Sequence, residues 1–151
     1  MAVTVRLRAG VDPTIADATG GCHCGAVRFR VRLADGLTTA RRCTCSYCRM
    51  KGTVAVTLAG DGFDLIRGAE ALASYRFNTG TAEHHFCRIC GIATHHARRS
   101  TPGQLAVSVA CLDGLSPFDF VELPVMDGEN HPSDTGTSRL AGVLRYDPTR
   151  P

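Results

Sequence analysis

Apolar and polar residues alternate at period two in short runs: TVRLR (4–8), AVRFRVRL (26–33), TVAVTL (53–58), FDLIRG (63–68), ASYRF (73–77), QLAVSVACL (104–112), FVELPVM (120–126) and GVLRYD (142–147). Alternation puts every second side chain on one face, so each run predicts a strand with one buried side. Turn formers punctuate the runs at Asp35-Gly36, Gly60-Asp61-Gly62, Asn78-Thr79-Gly80, Pro102-Gly103 and Asp127-Gly128. No window carries the period of a long amphipathic helix; SYCRMK (46–51) has room for one short helical turn. The fold class expected is all-β, with many short strands closing around cysteine turns. Residues 128–142 are polar and turn-rich, and predict an ordered surface loop or tail.

A chain of 151 residues suggests a single domain, residues 1–151, and is long enough to bury a core without disulfide staples. With no Trp and 6% aromatic residues, that core must be mostly aliphatic. No run approaches the roughly 18 apolar residues of a membrane span. The segment MAVTVRLRAGVDP lacks the apolar stretch of a secretion signal. A soluble, cytoplasmic protein with no membrane partner is expected. In a reducing compartment its eight cysteines are expected as metal ligands rather than disulfides.

Seven of them fall in three clusters: Cys22 and Cys24 in GGCHCG, Cys43, Cys45 and Cys48 in CTCSYC, and Cys87 and Cys90 in FCRICG. Two thiolates so close in sequence reach one ion when the backbone turns tightly between them. The Gly that follows, Gly25 or Gly91, permits the positive φ that aims amides at the sulfurs. A closed tetrahedral zinc site needs four ligands. Pairing the first knuckle with the third gives Cys22, Cys24, Cys87 and Cys90 as a structural site that clips distant parts of the chain together. The middle cluster then keeps three thiolates, and three protein ligands with one open position is the pattern of a catalytic zinc. A thiol substrate suits that opening, because a bound cation holds it as thiolate. Disulfides, an iron–sulfur cluster, and a middle site closed by Cys111 or a His are the competing readings. Cys111, in an apolar alternating run, reads as a buried and inert thiol.

Charge alters this picture little. The formal charge of +3 counts thiols as neutral; seven thiolates with two divalent ions bring it to zero, so no nucleic-acid partner is expected. Arg41, Arg42, Arg49 and Lys51 surround the middle cluster, either offsetting its charge or forming a pocket for the carboxylates of an anionic thiol, and Arg98 and Arg99 can add to either role. Tyr47 can stack or donate near the metal. Of six histidines, His23 is expected to point outward. One of His84 and His85 can face the open site as acid, base or fourth ligand, with His95, His96 and His131 as further candidates.

GGCHCGAVRF, CTCSYCRMKG, HHFCRICGIATHH and VACLDG together resemble the glutathione-dependent formaldehyde-activating enzyme family, which includes centromere protein V. The resemblance spans about residues 19–127, leaving 128–151 as a polar C-terminal extension. It implies a β-tent zinc fold of small packed antiparallel sheets with zinc knuckles, and two zinc ions per chain. It implies Cys22, Cys24, Cys87 and Cys90 around a structural ion, and Cys43, Cys45 and Cys48 around a catalytic one. It further implies a carbon–sulfur lyase whose partner is a small thiol such as glutathione or an adduct of it. The name-giving enzymes carry Pro-x-x-His followed by Trp near the C-terminus, where this chain has DGENHPSD; its ACLDG stretch is closer to the centromere protein V branch. The competing function is a non-enzymatic zinc module that binds a protein or another macromolecule.

Overall fold

The protein, seen as a computed structural model that describes residues 4–149, is built almost wholly of strands. In chain order they are β1 (Arg6–Leu7), β2 (Asp17–Gly21), β3 (Arg28–Leu33), β4 (Arg42–Cys43), the helix α1 (Ser46–Lys51), β5 (Ala55–Arg67), β6 (Leu72–Tyr75), β7 (Glu83–Cys87), β8 (Ala93–Ala97), β9 (Leu105–Ser108), β10 (Phe120–Met126), the one-turn helix α2 (Pro132–Thr135) and β11 (Leu140–Arg145). One sheet runs β2-β3-β5-β9-β8-β7-β6. A second runs β1-β10-β11, with β4 added alongside β10. Every pairing is antiparallel except β4 with β10. Among the described residues, no helix is long and apolar enough to cross a membrane.

The strand β3 shows why the alternation works. Phe29, Val31 and Leu33 are buried, while Arg28, Arg30 and Arg32 face outward and meet Asp113, Asp64 and Asp61. Burying each such apolar side chain is worth about 1.5–3 kcal/mol, whereas the exposed ion pairs contribute little. The basic face of this strand is thus already paired with acids of its own chain. The core is aliphatic as the composition requires: Val27, Val31, Leu37, Val56, Leu58, Val107 and Val109 are sealed, with Phe29 the one fully buried aromatic among the described residues.

The structure corrects two sequence expectations. Gly60-Asp61-Gly62 does not separate two strands; TVAVTL and FDLIRG belong to the single strand β5. Its pairing jumps from Leu33↔Leu58 to Val31↔Phe63, so the intervening residues form a bulge. A side chain at Gly62 would lie 2.6 Å from the Arg32 carbonyl oxygen, which is why glycine serves there. In QLAVSVACL the strand β9 stops at Ser108, and Val109–Cys111 form a turn of 3₁₀ helix. Cys111 therefore sits on a turn rather than a strand. It is buried, its Sγ donates to the Ala93 carbonyl (3.4 Å), and burial pushes its thiol up to about 11.

His95, on β8, is packed into this core. Its ring stacks on Phe63 (4.1 Å between centroids) and on His85 (4.3 Å), touches Phe29, and its Nδ1 bonds Thr94. Burial, then His85, push its pKa down to about 3. The unfolded chain binds a proton here near 6.5, while the folded one does not. Stability is therefore complete above that value and falls as pH drops toward about 3. His95→Phe keeps the stacking and removes the proton. It is expected to spare about 2 kcal/mol of the stability that the parent loses between pH 7 and 5, as read by urea denaturation at both values.

Candidate metal centres and the adjoining cavity

The first centre forms where two tight turns meet. After β2 the chain turns so that Cys22 N–H donates to Val27 O and Gly25 N–H returns to Cys22 O. After β7, Gly91 N–H returns to Cys87 O at 2.7 Å before β8 begins. Gly25 (φ 80°) and Gly91 (φ 78°) both adopt the left-handed conformation that closes such turns. The Sγ atoms of Cys22, Cys24, Cys87 and Cys90 all lie within 4.8 Å of one another, a grouping that can hold a metal ion. Cys22 to Cys24 is 3.6 Å, and Cys24 to Cys87, 63 residues further on, is 3.8 Å. A ZnS₄ tetrahedron with bonds of about 2.3 Å has edges of about 3.8 Å. Val27 N–H donates to Cys22 Sγ (3.3 Å), the contact expected of a sulfur held as thiolate. All eight cysteines are free thiols.

The second centre is local. Arg42 and Cys43 pair with Val125 and Met126 through the β4–β10 contact, and α1 starts immediately after. Cys45 is the helix cap: its Sγ accepts the Cys48 N–H at 3.3 Å. The helix ends at Gly52, whose N–H returns to Cys48 O. SYCRMK is thus the short helical turn that the sequence allows. Cys43, Cys45 and Cys48 lie within 4.8 Å of one another and also form a group that can hold a metal. No fourth His, Cys, Asp or Glu among the described residues joins them. Cys111 is not that fourth ligand: it does not join the group, and its Sγ donates to the Ala93 carbonyl. Hydrogen bonds from Cys43 and Cys48 push the Cys45 thiol far down, while its neighbours Cys43 and Cys45 push the Cys48 thiol far up. Three sulfurs packed this closely cannot all ionise unless a cation joins them.

A cavity of about 490 Å³ opens beside the second centre, and all three of its cysteines line the wall. Arg41, Arg42, Arg49, Lys51, Arg98 and Arg99 line it as well. Glu129 lies 3.9 Å from Arg49, and Asp134 pairs with Arg99. Arg41, Arg42, Lys51 and Arg98 have no carboxylate partner among the described residues. Burial, then Arg98, lower the Arg41 pKa to about 10.

The histidines sort by strand face. In the β7–β8 ladder His84 pairs with His96 and His85 with His95. His84 and His96 line the cavity; His85 and His95 stack on the opposite side. Tyr47 is not in the cavity wall but packs its ring on His84 at 4.5 Å. His131 lines the cavity and caps α2 through Nδ1, and His23 is exposed.

Residues 128–138, whose role the sequence leaves open, form one wall of this cavity. Thr44 Oγ1 accepts from Gly128 N–H (3.0 Å) and Glu129 N–H (3.4 Å), pinning the segment over the sulfurs. A side-chain carbon at Gly128 would lie 2.2 Å from Cys43 Sγ and 2.8 Å from the Cys45 nitrogen. The sequence marks Asp127-Gly128 only as a turn; nothing in it reveals that the missing side chain faces a sulfur. Gly128→Ala is expected to displace Cys43 and abolish the second centre's capacity to hold a metal, while the first centre and the fold persist. Metal analysis beside the circular dichroism of the variant checks this.

The sequence profile of the glutathione-dependent formaldehyde-activating enzymes matches residues 17–122. A Halomonas elongata protein named for that activity is 42% identical over 82 residues, covering 49% of this chain and 52% of its own. The chain thus aligns with about half the length of this curated relative. A Rhodobacter sphaeroides protein of known crystal structure superposes with a TM-score of 0.65 at 51% identity, over 67% of this chain and 93% of its own. The profile takes in all seven clustered cysteines, and on that match the chain belongs to the glutathione-dependent formaldehyde-activating enzyme family.

Proposed function

We propose that the protein is a zinc-dependent carbon–sulfur lyase acting on a small thiol adduct, with glutathione and formaldehyde as the model pair. Cys22, Cys24, Cys87 and Cys90 would hold a structural zinc, and Cys43, Cys45 and Cys48 a catalytic one. The observation that carries the reading is a three-sulfur centre set in the wall of a cation-lined cavity, with no fourth protein ligand beside it among the described residues. When bound there, zinc would supply a vacant position that favours a guest sulfur as thiolate.

The chain's own residues would do the rest. Three thiolates and a divalent cation leave one negative charge, fewer than the four cations around it that lack a carboxylate partner among the described residues. That surplus suits a guest bearing carboxylates. Arg41, fixed by bonds to Thr39 O and Thr57 Oγ1, and Arg98, fixed by Gln104, are held in place before any guest arrives. Anchoring the carboxylates would place the thiol at the sulfur cluster and convert an encounter into an oriented reaction. In the forward direction the thiol sulfur bonds the aldehyde carbon and the carbonyl oxygen gains a proton. The reverse step breaks the same bond.

The one-domain reading of residues 1–151 is part of this proposal, supported by β10, which carries both the 128–138 wall and β4. So is a cytoplasmic setting, where reduced thiols persist. The test is exchange NMR of zinc-loaded protein with formaldehyde and glutathione. Faster interconversion of free thiol and S-hydroxymethyl adduct is expected. No acceleration, together with no thiol binding at millimolar concentration, would refute the reading.

A further inference from the structure

Resting on that reading, we propose that Lys51 is the group that meets the carbonyl oxygen. Its ammonium donates to that oxygen as negative charge develops, and passes it the proton.

The reaction creates a demand that the sulfur centre does not meet. When sulfur attacks the aldehyde carbon, the C=O π pair moves onto oxygen, and a donor aimed at that oxygen lowers the barrier. Most cations of the cavity are paired with acids of the chain or are held in place for the guest's carboxylates. Arg41 is bonded to Thr39 and Thr57, Arg98 to Gln104 and Arg99 to Asp134, and Arg49 faces Glu129. Arg42 reaches back toward the helix end at Gly52. An arginine also has no proton to give at neutral pH. Lys51 has three donors and, among the described residues, one hydrogen-bond partner, His84 Nδ1 at 3.1 Å.

Its placement suits the role. Lys51 is three residues beyond Cys48 on α1, so the two side chains share a helix face, and both line the cavity. The Nζ sits 5.4 Å from the centre of the Tyr47 ring. The acceptor His84 is itself wedged between Tyr47 (4.5 Å) and His96 (5.2 Å), which fixes the direction of its Nδ1. His84 is therefore a positioning residue, and Lys51 the residue that touches the reacting atoms.

The step balances without a redox partner. The thiol gives its proton to solvent, and the sulfur pair forms the S–C bond. The carbonyl π pair goes to oxygen, and Lys51 protonates that oxygen and recovers a proton from solvent. Thiol plus aldehyde gives the hydroxymethyl thioether, and cleavage retraces these moves.

The experiment compares parent, Lys51→Met and Lys51→Arg, each with zinc content and melting temperature recorded. Exchange rates are measured with formaldehyde and either glutathione or carboxylate-free 2-mercaptoethanol. Lys51→Met is expected to lower kcat about 100-fold with both thiols, with KM for either thiol nearly unchanged. In ¹⁵N NMR the His84 ring should show the proton on Nε2 in the parent, and should lose that fixed tautomer in Lys51→Met. A rise in glutathione KM alone, with kcat intact, would make Lys51 a carboxylate anchor and overturn the proposal. If Lys51→Met fails to hold zinc, Lys51→Arg decides, because it keeps the charge without the transferable proton: parental kcat overturns the proposal, a strong loss supports it. A parent inert toward both thiols would sink the lyase reading and this inference together. An active parent matched by Lys51→Met would sink the inference alone.

Discussion

Cys90→Ala is expected to yield little or no folded protein. Cys90 belongs to the four-sulfur centre that joins the turn after β2 to the turn after β7, and two of its partners, Cys22 and Cys87, are part of the buried core. A closed structural zinc contributes apparent folding energy of about 10–16 kcal/mol, as large as the whole net stability of about 5–15 kcal/mol. Clipping points 63 residues apart also removes about 4 kcal/mol of loop entropy from the unfolded chain. With one thiolate gone, neither contribution survives intact. Soluble yield, far-UV circular dichroism and zinc content measure the outcome. A folded Cys90→Ala protein that melts within a few degrees of the parent would show that this centre does not hold the fold.

Cys48→Ala is expected to behave in the opposite way: folded, close to one zinc per chain, and inactive. The helix α1 that carries Cys48 buries none of its residues, so little core packing depends on it. The bond from the residue-48 backbone N–H to Cys45 Sγ survives the substitution, as does the return of Gly52 N–H to the residue-48 carbonyl. Two remaining sulfurs make a poor zinc site. Activity should fall below detection while the melting temperature moves by a few degrees. If Cys48→Ala and Cys90→Ala prove equally destructive, the division between a folding ion and a working ion is wrong.

Sequence and structure agree where the signal is local. RFRVRL is legible because its inward positions are aliphatic or aromatic and the pleat has period two; FVELPVM forms β10 although its buried positions, Phe120, Leu123 and Pro124, do not alternate. EHHFC and ATHHA escape the same test although they form β7 and β8. Their buried polar positions, His84, Thr94 and His95, do not share one face, and these side chains are held by stacking and hydrogen bonds rather than by hydropathy. DATGG escapes too, because Gly20 and Gly21 serve β2 by lacking side chains: a carbon on either would strike the Cys111 or Val27 carbonyl.

The grouping of the sulfurs is legible for the same local reason. Knuckle spacing and the following glycine fix each turn, and ligand arithmetic does the rest. The cavity is not. Lys51, His84, Arg98 and Gly128 come from four separated segments, and only the β4–β10 pairing and the β7–β8 ladder bring them together. Of the adjacent pair His84 and His85, period two says that one faces inward, but only the register tells which.

The account's central claim is that one sulfur centre is complete and the other keeps a place for a guest thiol. Zinc K-edge absorption on the loaded protein, with and without glutathione, tests it most directly. Four sulfurs on one ion and three on the other predict an average of about 3.5 sulfurs per zinc, rising to about 4 when the thiol is added. An average of about 4 without any thiol, or one that glutathione leaves unchanged, would contradict the account.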